Sequence, residues 1–236
     1  MPRHSKHSFN CSPHLAAGYI ISCSVAYSYP ILLDLSGKLV VIVGGGDVAA
    51  RKALGLIEAG AARIKCIAPQ IDDEMPTAVE RVLAKFKPSQ LDGAGLVIAA
   101  TDSPEVNFDV VRAARERKIL VSRVDVDFGD FVVPANWRTG PVTVSVSCGS
   151  PTLSKALRDE IKQQVANINR YAEMAEMMEK LRPWLLASSL DAARRVRALV
   201  DLGRKPALDA LAQGGGEGLY RWLVEKYPEL KLEKAP

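Results

Sequence analysis

Residues 39–52 set an apolar run, a glycine triplet and the start of a helical pattern in direct succession, and few folds accept that order. Leu39-Val40-Val41-Ile42-Val43 has no polar residue and four β-branched ones, as a strand buried on both faces does. Gly44-Gly45-Gly46 follows. From Asp47 the spacing predicts a helix with Val48, Leu54 and Ile57 on one face, closed by Gly60 as a C-terminal cap. Gly44-x-Gly46-x-x-Ala49 within this stretch has the spacing of the dinucleotide fingerprint, with alanine in third place. The first glycine permits a tight turn, the second lets backbone approach a pyrophosphate, and the small third residue lets helix and strand pack closely. The helix N-terminus then offers unpaired N–H groups and a partial positive charge to phosphates.

The stretches that follow repeat the strand-then-helix order. Residues 63–68 read as a second strand ending at Pro69-Gln70. The acidic residue that commonly bonds the adenosine ribose at this point is absent, and so is an arginine for a 2′-phosphate; Gln70 is the polar residue positioned to reach a ribose hydroxyl. A short helix is expected over 72–84 and a short third strand over 84–87. Residues 96–101 form a buried strand. Ser103 and Pro104 have the chemistry of an N-cap and first helical position, with Val106, Val110, Val111 and Ala114 as the inner face of the helix they open. Residues 119–124 form the next strand, with Asp125 at its carboxyl end. This alternation predicts an α/β fold, a Rossmann-like doubly wound parallel sheet whose ligands sit outside the carboxyl ends of the strands. Residues 44–49, Thr101, Asp102 and Asp125 all fall on that edge.

The pattern changes after residue 128. Residues 131–134 and 141–147 read as strands joined by Trp137-Arg138-Thr139-Gly140, and Ser150-Pro151 opens a long helix. Its apolar face runs Leu153, Leu157, Ile161, Val165 and Ile168. Further helices follow: one ending before Pro183, one over 190–202, and a last pair separated by a Gly214-Gly215-Gly216 joint. The expected division is an N-terminal extension over 1–28 without fixed structure, a dinucleotide domain over 29–128, a small β-rich dimerisation region over 129–170 and a helical C-terminal part over 171–236. A hairpin with one amphipathic helix buries little by itself, so a homodimer interface is the natural cover for that apolar face.

Composition narrows the chemistry. The formal net charge of +4 comes with no long Lys/Arg run, which argues against nucleic acid and suits a polyanionic small substrate. All three histidines (His4, His7, His14) precede the first strand, so a histidine-ligated metal or a Ser-His-Asp triad is excluded from the globular body, and no metal ligands are assigned. Acid–base work there falls to a carboxylate, Lys, Tyr or Cys. Cys11, Cys23, Cys66 and Cys148 are scattered, which points to a reducing, cytoplasmic setting. Residues 1–28 combine a basic start with an interrupted apolar stretch, a layout shared with secretory signals. No run of 18 apolar residues is present, so no membrane span is expected.

Together these residues resemble the precorrin-2 dehydrogenase / sirohydrochlorin ferrochelatase family of siroheme synthesis. The resemblance covers about residues 29–170. It rests on Tyr29-Pro30, on residues 43–49 with Arg51-Lys52, on Ala99-Ala100-Thr101-Asp102 with Val106-Asn107, on Val124-Asp125 followed by Phe131 and Pro134, and on Val146-Ser147 and Ser150-Pro151 with Leu157-Arg158. It implies NAD-dependent oxidation of precorrin-2 to sirohydrochlorin, to which some members add Fe2+ or Co2+ insertion, in a cytoplasmic homodimer. Carried over from the family, the nucleotide contacts are Gly44, Gly46, Asp47, Val48, Pro69, Gln70 and Thr101, and the catalytic carboxylate is Asp125; Asp127 and Asp130 lie close in sequence and compete for the role. Arg123, Arg138, Lys155 and Arg158 are candidates to meet the substrate's carboxylates. Cys148 departs from the family pattern, which favours serine or glycine there. The alternative from another class is a non-catalytic NAD-sensing module, which needs no base at Asp125.

Overall fold

The computed structural model describes residues 29–125, 129–165 and 167–230; the extension over 1–28 and Asp127 lie outside them. The chain divides into two compact units, one ending at Val132 and the other beginning at Val133.

The first unit is built on a five-stranded, all-parallel sheet in the order β3-β2-β1-β4-β5. Its elements are β1 (Leu39–Val43), α1 (Asp47–Glu58), β2 (Arg63–Ala68), β3 (Glu80–Leu83), β4 (Ala94–Ala99), α2 (Pro104–Glu116) and β5 (Leu120–Arg123). The apolar run of β1 serves both faces: Val40 and Ile42 join the core under α1, and Val41 and Val43 join the core under α2. The predicted doubly wound sheet is therefore what the chain forms. The chain runs outward from β1 to β3 and then returns to place β4 on β1's other side, so the order reverses between β1 and β4.

Three local expectations are corrected. The inner face of α1 is Ala49, Ala50, Ala53 and Leu56, whereas Val48 and Leu54 are 38% and 49% exposed. The helix leaves the glycine turn so close to the sheet that only alanines fit beneath its first two turns. Its end is as expected: Gly60 takes φ +82, its N–H bonds Ile57 O, and Ala61 N–H bonds Leu56 O, which together make a Schellman cap. No helix forms over 72–84. The Asp72 carboxylate accepts from Glu74 N–H, Pro76 interrupts the pattern, and turns carry Met75 and Val79 into the core; the third strand comes at Glu80–Leu83, ahead of 84–87.

The second unit opens with an antiparallel hairpin, β6 (Ala135–Thr139) and β7 (Val142–Val146). Pairing starts beyond Pro134, which has no N–H to give, so 131–134 is not a strand and Trp137 lies within one rather than in the turn. Gly140, at φ +52, and Pro141 make the reversal. Helices α3 (Pro151–Gln164), α4 (Ile168–Ala187), α5 (Ala192–Leu202) and α6 (Lys205–Lys226) follow. Contrary to expectation α4 continues through Pro183, and α6 bends at Gly215, where φ is +59. Leu181, Leu185, Leu202, Leu208, Leu219 and Leu223 form the centre of this unit's core. On α3 only Ser154 is buried, and Leu153 and Leu157 stand 56% and 38% exposed. Among the described residues no helix is long and apolar enough to cross a membrane.

Candidate functional site

The carboxyl edge of the parallel sheet is stitched together by backbone. Gly44 N–H bonds Ile67 O at 3.0 Å, Ala100 N–H bonds Val43 O at 2.7 Å, and Val124 N–H bonds Ala99 O at 3.1 Å. The three glycines on this edge do different work. Gly44 has φ +127, and a Cβ there would lie 2.1 Å from Ala100 O. A Cβ on Gly45 would lie 2.0 Å from Gln70 O, because residues after β2 cross the turn here; Asp72 N–H bonds Gly45 O at 2.8 Å. A Cβ on Gly46 would meet nothing within 4 Å. Two glycines are thus closed against the protein and the third is open outward.

Gly46 is the N-cap of α1 and no side chain caps that end. The first N–H groups of the helix therefore face outward beside an open turn, as a bound pyrophosphate requires. The residues present fit a dinucleotide. Asp47 is the first helical residue rather than the cap, and pairs with Arg51 at 3.0 Å. Pro69 and Gln70 are exposed at the end of β2. Cys66, buried beneath the turn, donates its thiol proton to Gly44 O at 3.2 Å; burial pushes its pKa up to about 11, which keeps that proton in place.

Thr101, the residue two beyond β4, is held by Asn107 of α2. Asn107 is fully buried; its Oδ1 accepts from Thr101 N–H at 3.1 Å and lies 2.8 Å from Thr101 Oγ1, and its Nδ2 donates to Thr101 O at 3.0 Å. Ser103 caps α2 by accepting from Val106 N–H. Asn107 is a functional-edge residue that sequence reasoning left unassigned. An asparagine in the first turn after an N-cap serine, on the otherwise apolar inward face, was the available signal.

Asp125 follows β5 on the same edge. Arg123 grips it bidentately, Nε to Oδ1 at 2.7 Å and one terminal nitrogen to Oδ2 at 2.6 Å, with the Arg123 and Asp125 side chains 12% and 24% exposed. The Arg123 guanidinium holds the Asp125 carboxyl below the usual carboxylate range, with a smaller hydrogen-bond contribution from Asn107. Of the competing carboxylates, Asp130 is committed elsewhere: it takes Arg115 at 3.0 Å and Val121 N–H at 3.1 Å. Of the candidate cations, Arg123 is committed to Asp125 and Arg158 to Asp159. Among the described residues no group of three metal-ligating side chains occurs.

A family described as "Putative NAD(P)-binding" matches residues 31–135. A curated siroheme synthase of Pseudomonas fluorescens is 30% identical over 205 residues, covering 84% of this chain and 44% of the relative. Siroheme synthase 1 of Pectobacterium atrosepticum is 33% identical over 219 residues, covering 87% and 45%. The chain thus spans just under half the length of the curated relatives it matches. A solved structure titled "SirC, precorrin-2 dehydrogenase" superposes with a TM-score of 0.67 at 23% identity, covering 85% of this chain and 100% of the other, which is a likeness of fold.

Proposed function

This chain belongs to the siroheme synthase family, of its NAD-binding type, and from that premise we propose that it is an NAD-dependent precorrin-2 dehydrogenase. The reaction is the oxidation of precorrin-2 to sirohydrochlorin, within siroheme synthesis. The observation that carries the reading is an ionised, partly exposed carboxylate, Asp125, on the sheet edge that also holds the outward-open phosphate turn. A sensor of the dinucleotide has no use for that carboxylate.

Oxidation of the macrocycle removes a hydride and a proton. When bound, the nicotinamide supplies the hydride acceptor. Gly46 and the first residues of α1, Asp47 and Val48, would hold the pyrophosphate through backbone N–H groups, and Gly44, whose own N–H is bonded to Ile67 O, would shape the turn beneath it. Pro69 and Gln70 would border the adenosine ribose, and Thr101, locked by Asn107, lines the edge between them and Asp125. Asp125 takes the proton onto a carboxylate oxygen. Its pairing with Arg123 keeps it deprotonated and ready, but also makes it a weak base. Precorrin-2 carries carboxylates of its own, and one of them docking on Arg123 would release Asp125 with a higher proton affinity at the moment the base is needed. The same carboxylate can accept pyrrole N–H protons during insertion of Fe2+ or Co2+, here a substrate rather than a resident metal.

The assembly we assign is a cytoplasmic homodimer, with residues 29–128 as the dinucleotide domain, 129–170 as the dimerisation region and 171–236 as a helical domain. The exposed Leu153 and Leu157 on α3 support a partner copy at that face. The test is anaerobic absorbance spectroscopy of the purified protein with precorrin-2, with and without NAD+. Appearance of the NADH band only with both present supports the dehydrogenase, and Fe2+ or Co2+ added afterwards tests insertion in the same cuvette. Tight NAD+ binding without NADH would overturn the enzyme reading in favour of the sensor.

A further inference from the structure

We propose that the helical part of the second unit carries an anion-binding pocket of its own, for a small ligand bearing two or more phosphate or carboxylate groups. The pocket has a volume of about 460 Å3 and is lined by Arg194, Arg197, Asp201, Arg204, Lys226 and Tyr227. The hollow is open to solvent and has room for a small organic ligand as well as for a single ion. Arg194, Arg197 and Asp201 recur along one face of α5, Arg204 follows where the chain turns into α6, and Lys226 and Tyr227 come from the far end of α6. The fold therefore brings two distant ends of the chain segment around one hollow, and four of its six lining residues are cationic.

The single acid is arranged to position cations rather than to oppose an anion. Asp201 is 2% exposed. Its Oδ1 accepts from Arg204 at 3.0 Å, and its Oδ2 from Lys226 at 2.9 Å and from the Tyr227 hydroxyl at 2.8 Å. Both oxygens are thus spent on the wall, and the heads of Arg204 and Lys226 are fixed beside the hollow. Arg194 pairs with Glu229 and lies over the Tyr227 ring, 5.8 Å from its centre. Arg197 has no hydrogen bond or ion pair among the described residues. The positive charge exceeds the acid available to match it. Like charges gathered around a concave wall repel one another until an anion enters, and guanidinium groups meet carboxylate and phosphate oxygens through paired, parallel hydrogen bonds.

The experiment is isothermal titration of the full chain, saturated with NAD+ so that the phosphate turn is filled, with pyrophosphate in one arm and citrate in another at low ionic strength. One equivalent of at least one of the two anions is expected to bind, and the tighter arm identifies the phosphate or the carboxylate source. Arg197→Ala, at an exposed residue with no partner to lose, is expected to weaken that binding about tenfold. Arg221→Ala, an exposed cation of α6 outside the pocket, is expected to leave it unchanged. Absence of binding by both anions, unchanged binding in Arg197→Ala, or equal weakening by Arg221→Ala would each overturn the proposal.

Discussion

Arg123 and Asp125, two residues apart at the end of β5, form a bidentate ion pair with both bonds at or under 2.7 Å. Residues two apart in extended chain share a face, so Arg123, the last residue of β5, and Asp125 just beyond it are set to reach the same side. The pair lowers the pKa of Asp125, with the hydrogen bonds from Arg123 as the leading cause.

An enzyme using Asp125 as base therefore keeps it deprotonated throughout the neutral range and loses activity only on the acid side, as pH falls through the lowered pKa. Replacing Arg123 by Gln removes the main cause of the lowering, so the acid limb of the pH–rate profile is expected to move upward. Asp125→Asn is expected to cut turnover by about 10²–10⁴-fold, the usual worth of a positioned base, with NAD+ affinity unchanged. Steady-state rates across pH, with NAD+ titrations of each variant, check both. An unmoved acid limb in Arg123→Gln would detach the pair from catalysis.

The glycine turn allows a separation of stability from binding. Gly44→Ala forces a Cβ against Ala100 O at a backbone angle that L residues rarely adopt. It is expected to cost about 3 kcal/mol of stability from strain and overpacking combined. Gly46→Ala meets no protein atom within 4 Å and has an ordinary φ of −88. It is expected to cost about 1 kcal/mol or less, as a weaker N-cap, yet to impair dinucleotide binding by filling the space reserved for the pyrophosphate. Denaturant melts beside NAD+ titrations distinguish the two.

Asp201 and Tyr227 tie α5 to the end of α6, and their linkage to pH has a definite sign. The Asp201 pKa is lowered, first by Lys226 and then by Tyr227, so its contribution is present above the ordinary carboxylate range and is lost as pH falls through the lowered value. The Tyr227 pKa is pushed up to about 12, by burial first and by the Asp201 hydrogen bond next. Its contribution is complete below the ordinary tyrosine value of about 10 and is lost as pH rises through about 12. Tyr227→Phe is expected to cost about 2 kcal/mol at neutral pH, the worth of a buried hydrogen bond to a charged group, and to flatten the alkaline loss. Thermal melts from pH 6 to strongly alkaline buffer, within about the range where tyrosine titrates, read both effects.

The apolar stripe of α3 gives the fourth prediction. Leu157→Glu places a charge on a face that is 38% exposed at that residue. With the proposed dimer seated on this face, the parent is expected to sediment as a dimer and the variant chain to fold and sediment as a monomer. Equal sedimentation of the two would move the dimer contact away from this helix.

The sequence made the first unit largely legible because its central strands are buried on both faces. Runs such as Val40-Val41-Ile42-Val43 and Leu96-Val97-Ile98 admit little else, and Ser103-Pro104 announces a helix start. What it concealed follows from distance. The face of α1 turned on how closely that helix approaches the sheet, which sets alanine against the core and leaves Val48 outside. The turns over 72–79 turned on Met75 and Val79 finding space in a core made by other elements. Asn107 stands on the inward face of α2, but its bonds to Thr101 depend on how the chain turns from β4 into that helix, which spacing alone does not give. At the candidate edge the spacing identified Gly44 and Gly46, but assigned Gly45 no duty, because the crossing carbonyl belongs to Gln70, 25 positions later.

The position of β1 also bears on how the chain is made. It lies in the middle of its sheet, bonded to β2 on one side and β4 on the other, and Val40, Val41 and Ile42 are fully buried. A ribosome releases β1 early, but its second neighbour arrives only with residues 94–99. Until then the nascent polypeptide carries its most apolar strand with one hydrogen-bonding flank bare, a ready template for another unfinished copy. The half-built sheet is the stage at which this protein is most exposed to misassociation, and slowing translation just after residue 68 would lengthen that interval and lower the yield of folded product.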